Sequence, residues 1–184
     1  GCLPAGETYY AVSGNGIVST THGRAGAKVT VTSGPGGRAV VQGQLWLTPS
    51  SHDVRLQGLD FAGNYGPGGV PNGTKATHLI LHGDRIEILD DDISDPRGIC
   101  IGAGKAHATD ASVDDRADDL VIARNRIHDC GMDPDLTWTK RDSGAHGIYL
   151  ENTLDARVYD NLIYRNRYRG LQLWPRNDGA RIHH

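Results

Sequence analysis

The strongest constraint on this chain is a set of stretches that align column by column. DVRLQGLDF from Asp53, RIEILDDDI from Arg85, DLVIARNRI from Asp119 and DARVYDNLI from Asp155 share one pattern, and GARIHH from Gly179 begins a fifth copy. Their starts are 32, 34, 36 and 24 residues apart. Val54, Ile86, Leu120, Ala156 and Ala180 fill one apolar column; Leu56, Ile88, Ile122, Val158 and Ile182 fill the next; Phe61, Ile93, Ile127 and Ile163 fill a third. After each copy, at a variable distance, comes a short alternating stretch: HLILH at 78–82, GICIG at 98–102, GIYLE at 147–151 and GLQLW at 170–174. Alternation with period two marks strands. Leu79/Leu81, Ile99/Ile101, Ile148/Leu150 and Leu171/Leu173 are therefore expected on the inner face. No stretch sustains the 3.6-residue period of a helix. Short strands at fixed columns with unequal gaps predict a solenoid, in which each turn of chain stacks on the last and insertions bulge outward.

A polar column runs between the apolar ones: Leu59, Asp91, Asn125 and Asn161. An inward turn exposes backbone groups, and an amide side chain can both donate to and accept from its neighbours above and below. For that reason the Asp90-Asp91-Asp92 run is read as structural and not as catalytic on its own. The pattern over about 39–184 resembles the right-handed parallel β-helix of the pectate-lyase-like superfamily, in which stacked Asn residues form a ladder at such a turn. The fold expected is all-β, a right-handed parallel β-helix. The first fifty residues read as strands joined by Gly/Pro turns, and LPAGETY followed by TVTS resembles the opening rungs of secreted β-helices. One domain is expected over 1–184, with N-terminal rungs or a cap region at 1–38 and regular rungs at 39–184. The absence of an initiator Met and the stop in mid-pattern at Arg181-Ile182-His183-His184 suggest a piece of a longer protein.

Composition narrows the function. A net charge of −3 gives no electrostatic footprint for nucleic acid, and no run is long and apolar enough to span a bilayer. Neither nucleic acid nor membrane is an expected partner, and a monomer is expected. Cys2, Cys100 and Cys130 match no zinc spacing and leave at least one thiol unpaired, so buried or idle thiols are expected. Localisation outside the cell follows only from the resemblance.

The outward residues of the alternating stretches suggest a site. Aligned on their glycines, one column is Thr77, Arg97, His146 and Arg169, the next Ile80, Cys100, Tyr149 and Gln172, and the third His82, Gly102, Glu151 and Trp174. His, Tyr, Arg and Trp together are unlike the Ser/Thr/Lys mix of an idle face. Residues 62–77, 102–118 and 131–146 are long insertions that adjoin these strands, and the third carries Trp138, Lys140, Arg141 and Asp142. Loops beside a flat sheet make an elongated groove, the shape that suits a polymer. The resemblance implies the same placement of a substrate groove.

Arg97, Arg169, Lys140 and Arg141 suit an anionic polysaccharide, and Trp138 and Trp174 suit stacking on sugar faces, with Gln172 beside them. A lyase acting on a uronate needs a cation for the carboxylate, a base and an acid. Arg169 or Arg97 fits the first role, His146 the second and Tyr149 the third. Structural roles compete: His146 as a cap on its rung, Tyr149 as a cover on the sheet, and Arg169 with Glu151 as a surface bridge. An inverting glycoside hydrolase would pair Glu151 with Asp142 or Asp95. GAHGIYL resembles a polygalacturonase stretch at His146, but the paired aspartates of that family are missing before GICIG. A uronate C5-epimerase shares the lyase's proton abstraction, and Asp133-Pro134-Asp135 resembles an epimerase stretch without its His. A non-catalytic carbohydrate-binding wall or adhesin is the last class. No cofactor is required by these readings. Calcium is the one candidate: Asp110, Asp114, Asp115, Asp118 and Asp119 offer oxygen ligands, although such a run also suits a solvated face. Asn72-Gly73-Thr74 fits a glycosylation sequon, which matters only in a eukaryotic secretory host.

Overall fold

The computed structural model describes residues 1–10, 17–63, 77–96, 98–104, 116–132 and 145–184. They form a coil of three parallel sheets, and each turn of chain contributes one strand to each sheet in the same order. Sheet A takes β1 (Cys2–Leu3), β4 (Val29–Ser33), β7 (Val54–Gln57), β10 (Glu87–Leu89), β14 (Val121–Ala123), β17 (Arg157–Tyr159) and β20 (Arg181–His183). Sheet B takes β2 (Thr8–Tyr10), β5 (Val40–Gln42), β8 (Asp60–Ala62), β11 (Asp92–Ser94), β15 (Arg126–His128) and β18 (Leu162–Tyr164). Sheet C takes β3 (Ile17–Ser19), β6 (Leu45–Leu47), β9 (Leu79–Leu81), β12 (Ile101–Gly104), β16 (Ile148–Leu154) and β19 (Leu171–Asp178), with β13 (Ala117–Asp118) pairing the far end of β16. Every strand-to-strand register is parallel. The architecture is the parallel β-helix that the repeat predicts, and no described residue is helical. The first strands already belong to it, since β1, β2 and β3 pair with β4, β5 and β6.

The apolar columns line the inside. Leu56, Ile88 and Ile122 stack in sheet A, Phe61, Ile93 and Ile127 in sheet B, and Leu79, Ile101 and Ile148 in sheet C, all buried in one core. The polar column forms the ladder at the turn from sheet A to sheet B. Each backbone N–H donates to the side chain on the next rung: Leu59 to Asp91 Oδ1 at 2.7 Å, Asp91 to Asn125 Oδ1 at 2.9 Å, and Asn125 to Asn161 Oδ1 at 3.0 Å. The Asn125 and Asn161 amides donate back to the carbonyls of Ile88 and Ile122. The Asp91 side chain has no N–H to give back, and its Oδ2 is buried without a hydrogen-bond partner. Burial pushes its carboxyl up to about 8, against the opposing pull of the Leu59 N–H.

Three corners of the rung require a left-handed backbone and repeat it from rung to rung. One column is Asp53, Arg85, Asp119 and Asp155; a second is Gly58, Asp90, Arg124 and Asp160; a third is Gly63, Asp95, Asp129 and Arg165, all at positive φ. Asp tolerates this region better than most residues. Arg does not share that preference, but each Arg in these columns reaches the Asp on the rung before it. Arg85 pairs with Asp53 at 3.1 Å, Arg124 with Asp90 at 2.8 Å and Arg165 with Asp129 at 2.9 Å. The Arg85 guanidinium holds the Asp53 carboxyl down at about 2.

Two expectations are corrected. The inner pair of the GICIG strand is Ile101/Ala103, not Ile99/Ile101, because Ile101 and Ala103 pair with Leu79 and Leu81 on one side and Ile148 and Leu150 on the other. A slip of two residues preserves alternation, so periodicity alone does not fix it. Gly102, not Cys100, therefore stands between Ile80 and Tyr149. The second correction concerns the thiols. Cys100 and Cys130 form a disulfide across adjacent rungs, with Cα atoms 5.6 Å apart and both residues fully buried. Cys2 remains a thiol and is exposed.

Two outcomes follow for stability. Asp91 keeps its proton in the folded chain up to about pH 8 and releases it near pH 4 when unfolded. Stability should fall as pH rises through that window, by up to ~1.4 kcal/mol per unit, and level off above it. Asp91→Asn should flatten that slope and raise stability near pH 8, as read by urea unfolding at several pH values. Separately, the disulfide closes a sequence separation of 30 residues. Its reduction, or Cys100→Ser with Cys130→Ser, should cost about 3–4 kcal/mol in the same measurement.

Candidate active site on sheet C

The strand β16 and the turn before it carry the residues singled out by sequence. His146 lies just ahead of the strand and is 2% exposed. Its ring packs against Tyr149 at 5.3 Å and Tyr168 at 5.2 Å between centroids, tilted 54° to each. Backbone bonds fix this stack: Tyr168 N–H donates to the Ala145 carbonyl at 3.1 Å and Gly147 N–H to the Arg169 carbonyl at 2.9 Å. Asn166 anchors the same turn, accepting from Cys130 N–H at 3.0 Å. The disulfide thus sits under the turn that presents Tyr168 and Arg169.

Gly147 is required here. A Cβ would lie 2.6 Å from the Gly170 carbonyl oxygen and 2.9 Å from Asn166 Nδ2. Arg169 projects outward and is exposed. It donates to Gln172 Oε1 and, at 3.3 Å, to the Tyr168 hydroxyl, with its guanidinium 4.7 Å from the centre of the Tyr168 ring. Those partners hold its head group over the sheet. Gln172 pairs in register with Tyr149 on the neighbouring strand.

Tyr149 is half-buried, and burial pushes its phenol above the ordinary value, with the charge and hydrogen bond of Glu151 adding to the rise. It keeps its proton and is suited to donate one. Glu151 is the extra residue of a β-bulge against β12: adjacent Ala103 and Gly104 pair with Leu150 and Asn152, leaving Glu151 without a partner in that register. A bulge re-aims the side chain it carries. Trp174, 52% exposed, lies opposite it on β19.

His146, Tyr149, Glu151, Arg169, Gln172 and Trp174 are therefore brought onto two adjacent strands and the turns that lead into them. Arg97, Trp138, Lys140 and Arg141 lie outside the described residues, as do Asp142, Asp133, Asp135 and the sequon at 72–74. Asp95 occupies the left-handed corner after β11. Of the acidic run, Asp110, Asp114 and Asp115 lie outside the described residues, while Asp118 and Asp119 sit at the corner leading into sheet A. Burial raises the Asp118 carboxyl, with Asp84 and Asp119 adding to it. Among the described residues no group of three or more His, Cys, Asp or Glu is arranged to hold a metal ion. Tyr168 was missed by sequence reading because it lies in a turn, where alternation gives no signal. Trp46 was missed although its column was readable: it stands in register with Ile80, two strands before Tyr149's neighbour Gly102.

No family model and no curated protein matches the sequence. The coil is similar to two solved structures. One is an alginate lyase from Paenibacillus sp. str. FPU-7, with a TM-score of 0.63 and 14% identity over 98% of this chain and 56% of that one. The other is the pectate lyase Pel9A, with a TM-score of 0.68 and 15% identity over 94% of this chain and 40% of that one. This chain spans about half the length of each or less. Likeness at such identity establishes the fold: a parallel β-helix.

The packing around His146 yields one expected outcome. Gly147→Ala must displace the turn that carries Tyr168 and Arg169, at a cost of about 1–3 kcal/mol. Gly102→Ala, whose Cβ would meet only Thr77 Cγ2 at 3.5 Å and Leu79 O at 4.0 Å, should stay within about 0.5 kcal/mol of the parent. Denaturant unfolding of the two variants checks the pair.

Proposed function

We propose that this protein is a polysaccharide lyase that cleaves an acidic, uronate-containing polysaccharide by β-elimination on the outward face of sheet C. The observation that carries the reading is the fixed placement of the Arg169 guanidinium, on Gln172 and over Tyr168, one strand from a protonated Tyr149. In this reading Arg169 pairs with the uronate carboxylate and stabilises the negative charge that develops there. A base removes the proton from the carbon beside that carboxylate. The electron pair forms the ring double bond, the bond to the leaving oxygen breaks, and Tyr149 protonates that oxygen. His146, stacked against Tyr149, is assigned the base role. The fold likeness to two polysaccharide lyases supports a polysaccharide partner. The disulfide supports an oxidising, extracellular compartment.

The burial of His146 favours a second reading, a carbohydrate-binding wall without turnover. The test is ultraviolet absorbance of unsaturated uronate products on pectate, alginate, hyaluronan and heparin, with and without calcium, beside an assay of new reducing ends. The lyase reading expects a rise that falls ~10²–10⁴-fold in Tyr149→Phe and in His146→Ala. It also expects activity to persist into alkaline solution, since Tyr149 deprotonates only above the ordinary phenol value. Binding without absorbance or reducing ends would overturn the lyase and leave the wall.

A further inference from the structure

Sheet C carries a second aromatic feature far from Tyr149. The outward residues of successive strands are Val18, Trp46, Ile80, Gly102, Tyr149 and Gln172, aligned by register. Trp46 Nε1 donates to His82 Nδ1 at 3.1 Å, and the two rings meet edge to face with centroids 5.6 Å apart. We propose that Trp46 and His82 form a distal subsite that takes one ring of an extended acidic oligosaccharide, three strands from Tyr149. This rests on the reading of sheet C as a polysaccharide groove.

Three observations carry it. The indole is held by the His82 contact, and its only donor is satisfied within the protein. What Trp46 offers a ligand is its ring face, the surface on which a pyranose stacks, already ordered before binding. The second observation is spacing. Strands lie about 4.8 Å apart, so Trp46 is about 14 Å from Tyr149 along the axis. The strand spacing is close to the advance per sugar in an extended polysaccharide, so a chain along the axis places one ring on each strand. The third is Gly102. Neither backbone nor packing demands glycine there, because a Cβ would make only ordinary contacts with Thr77 and Leu79. The missing side chain leaves a hollow between Ile80 and Tyr149 where the chain can lie close to the sheet on its way to Trp46.

The experiment is calorimetric titration of oligogalacturonates and oligomannuronates, from dimer to hexamer, into the parent, Trp46→Ala and His82→Ala. Trp46→Ala should weaken hexamer binding about tenfold and leave the dimer unchanged. His82→Ala, which keeps the indole but releases it, should give a smaller loss with the same dependence on length, and covers the case in which Trp46→Ala does not fold. Losses equal at every length, or no loss in either variant, overturn the subsite while leaving the groove. A parent protein that binds neither series overturns the groove and the subsite together.

Discussion

A coil of this kind turns sharply inward once per rung, and at that turn the backbone amides face a core that offers them nothing. The ladder of Asp91, Asn125 and Asn161 meets this demand by giving each rung's N–H a side-chain oxygen from the next. Everything else depends on it. The ladder fixes the rise between rungs, the rise fixes which residues stand beside one another in sheets B and C, and those neighbours decide what projects from the surface. A buried polar chain is strong only if every member is satisfied. Asp91 is the weak member: it takes its place as an acceptor, but its buried Oδ2 finds no partner where its Asn neighbours donate to Ile88 and Ile122.

The corners solve a related problem by a different route. Each rung reverses direction through left-handed residues, where glycine would be the natural choice. Here Asp and Arg occupy most of those positions, and they pair along the axis as Asp53 with Arg85, Asp90 with Arg124 and Asp129 with Arg165. The pairs at Asp90 and Asp129 reach solvent and contribute little individually, whereas Asp53 is buried under Arg85. All three also act on register, since an Arg at one corner finds its partner only when the rungs are aligned.

Much of this architecture was readable from the chain, and the limits of that reading have physical causes. The columns of Leu56, Ile88 and Ile122 and the Asn125/Asn161 pair are direct records of stacking, so fold and ladder followed from them. The Cys100–Cys130 bond escaped because the slip at GICIG set Cys100 among the outward residues beside Ile80 and Tyr149, where Gly102 stands, and so away from Cys130. The slip at GICIG escaped because a shift of two leaves every apolar residue on its own face. At the site, Tyr149, Glu151 and Gln172 were legible as alternating outward positions. Tyr168 was not, since its place over His146 comes from a turn held by Asn166 and by the backbone bond to Ala145.

The site itself shows how a repetitive scaffold becomes locally specific. A perfect rung would present one side chain per strand at even spacing, a pattern suited to holding a regular polymer and little else. Two departures break it. The bulge against β12 makes Glu151 an extra residue between the pairs of Leu150 and Asn152, and its carboxylate accepts a hydrogen bond from the Tyr149 hydroxyl. Gly147 lets the next rung's turn approach so closely that Tyr168 comes down onto the His146 ring. The even part of sheet C, from Trp46 to Gly102, and its distorted part, from Tyr149 to Trp174, therefore present different surfaces: single outward residues in register on the first, and His146, Tyr149, Glu151 and Arg169 gathered together on the second.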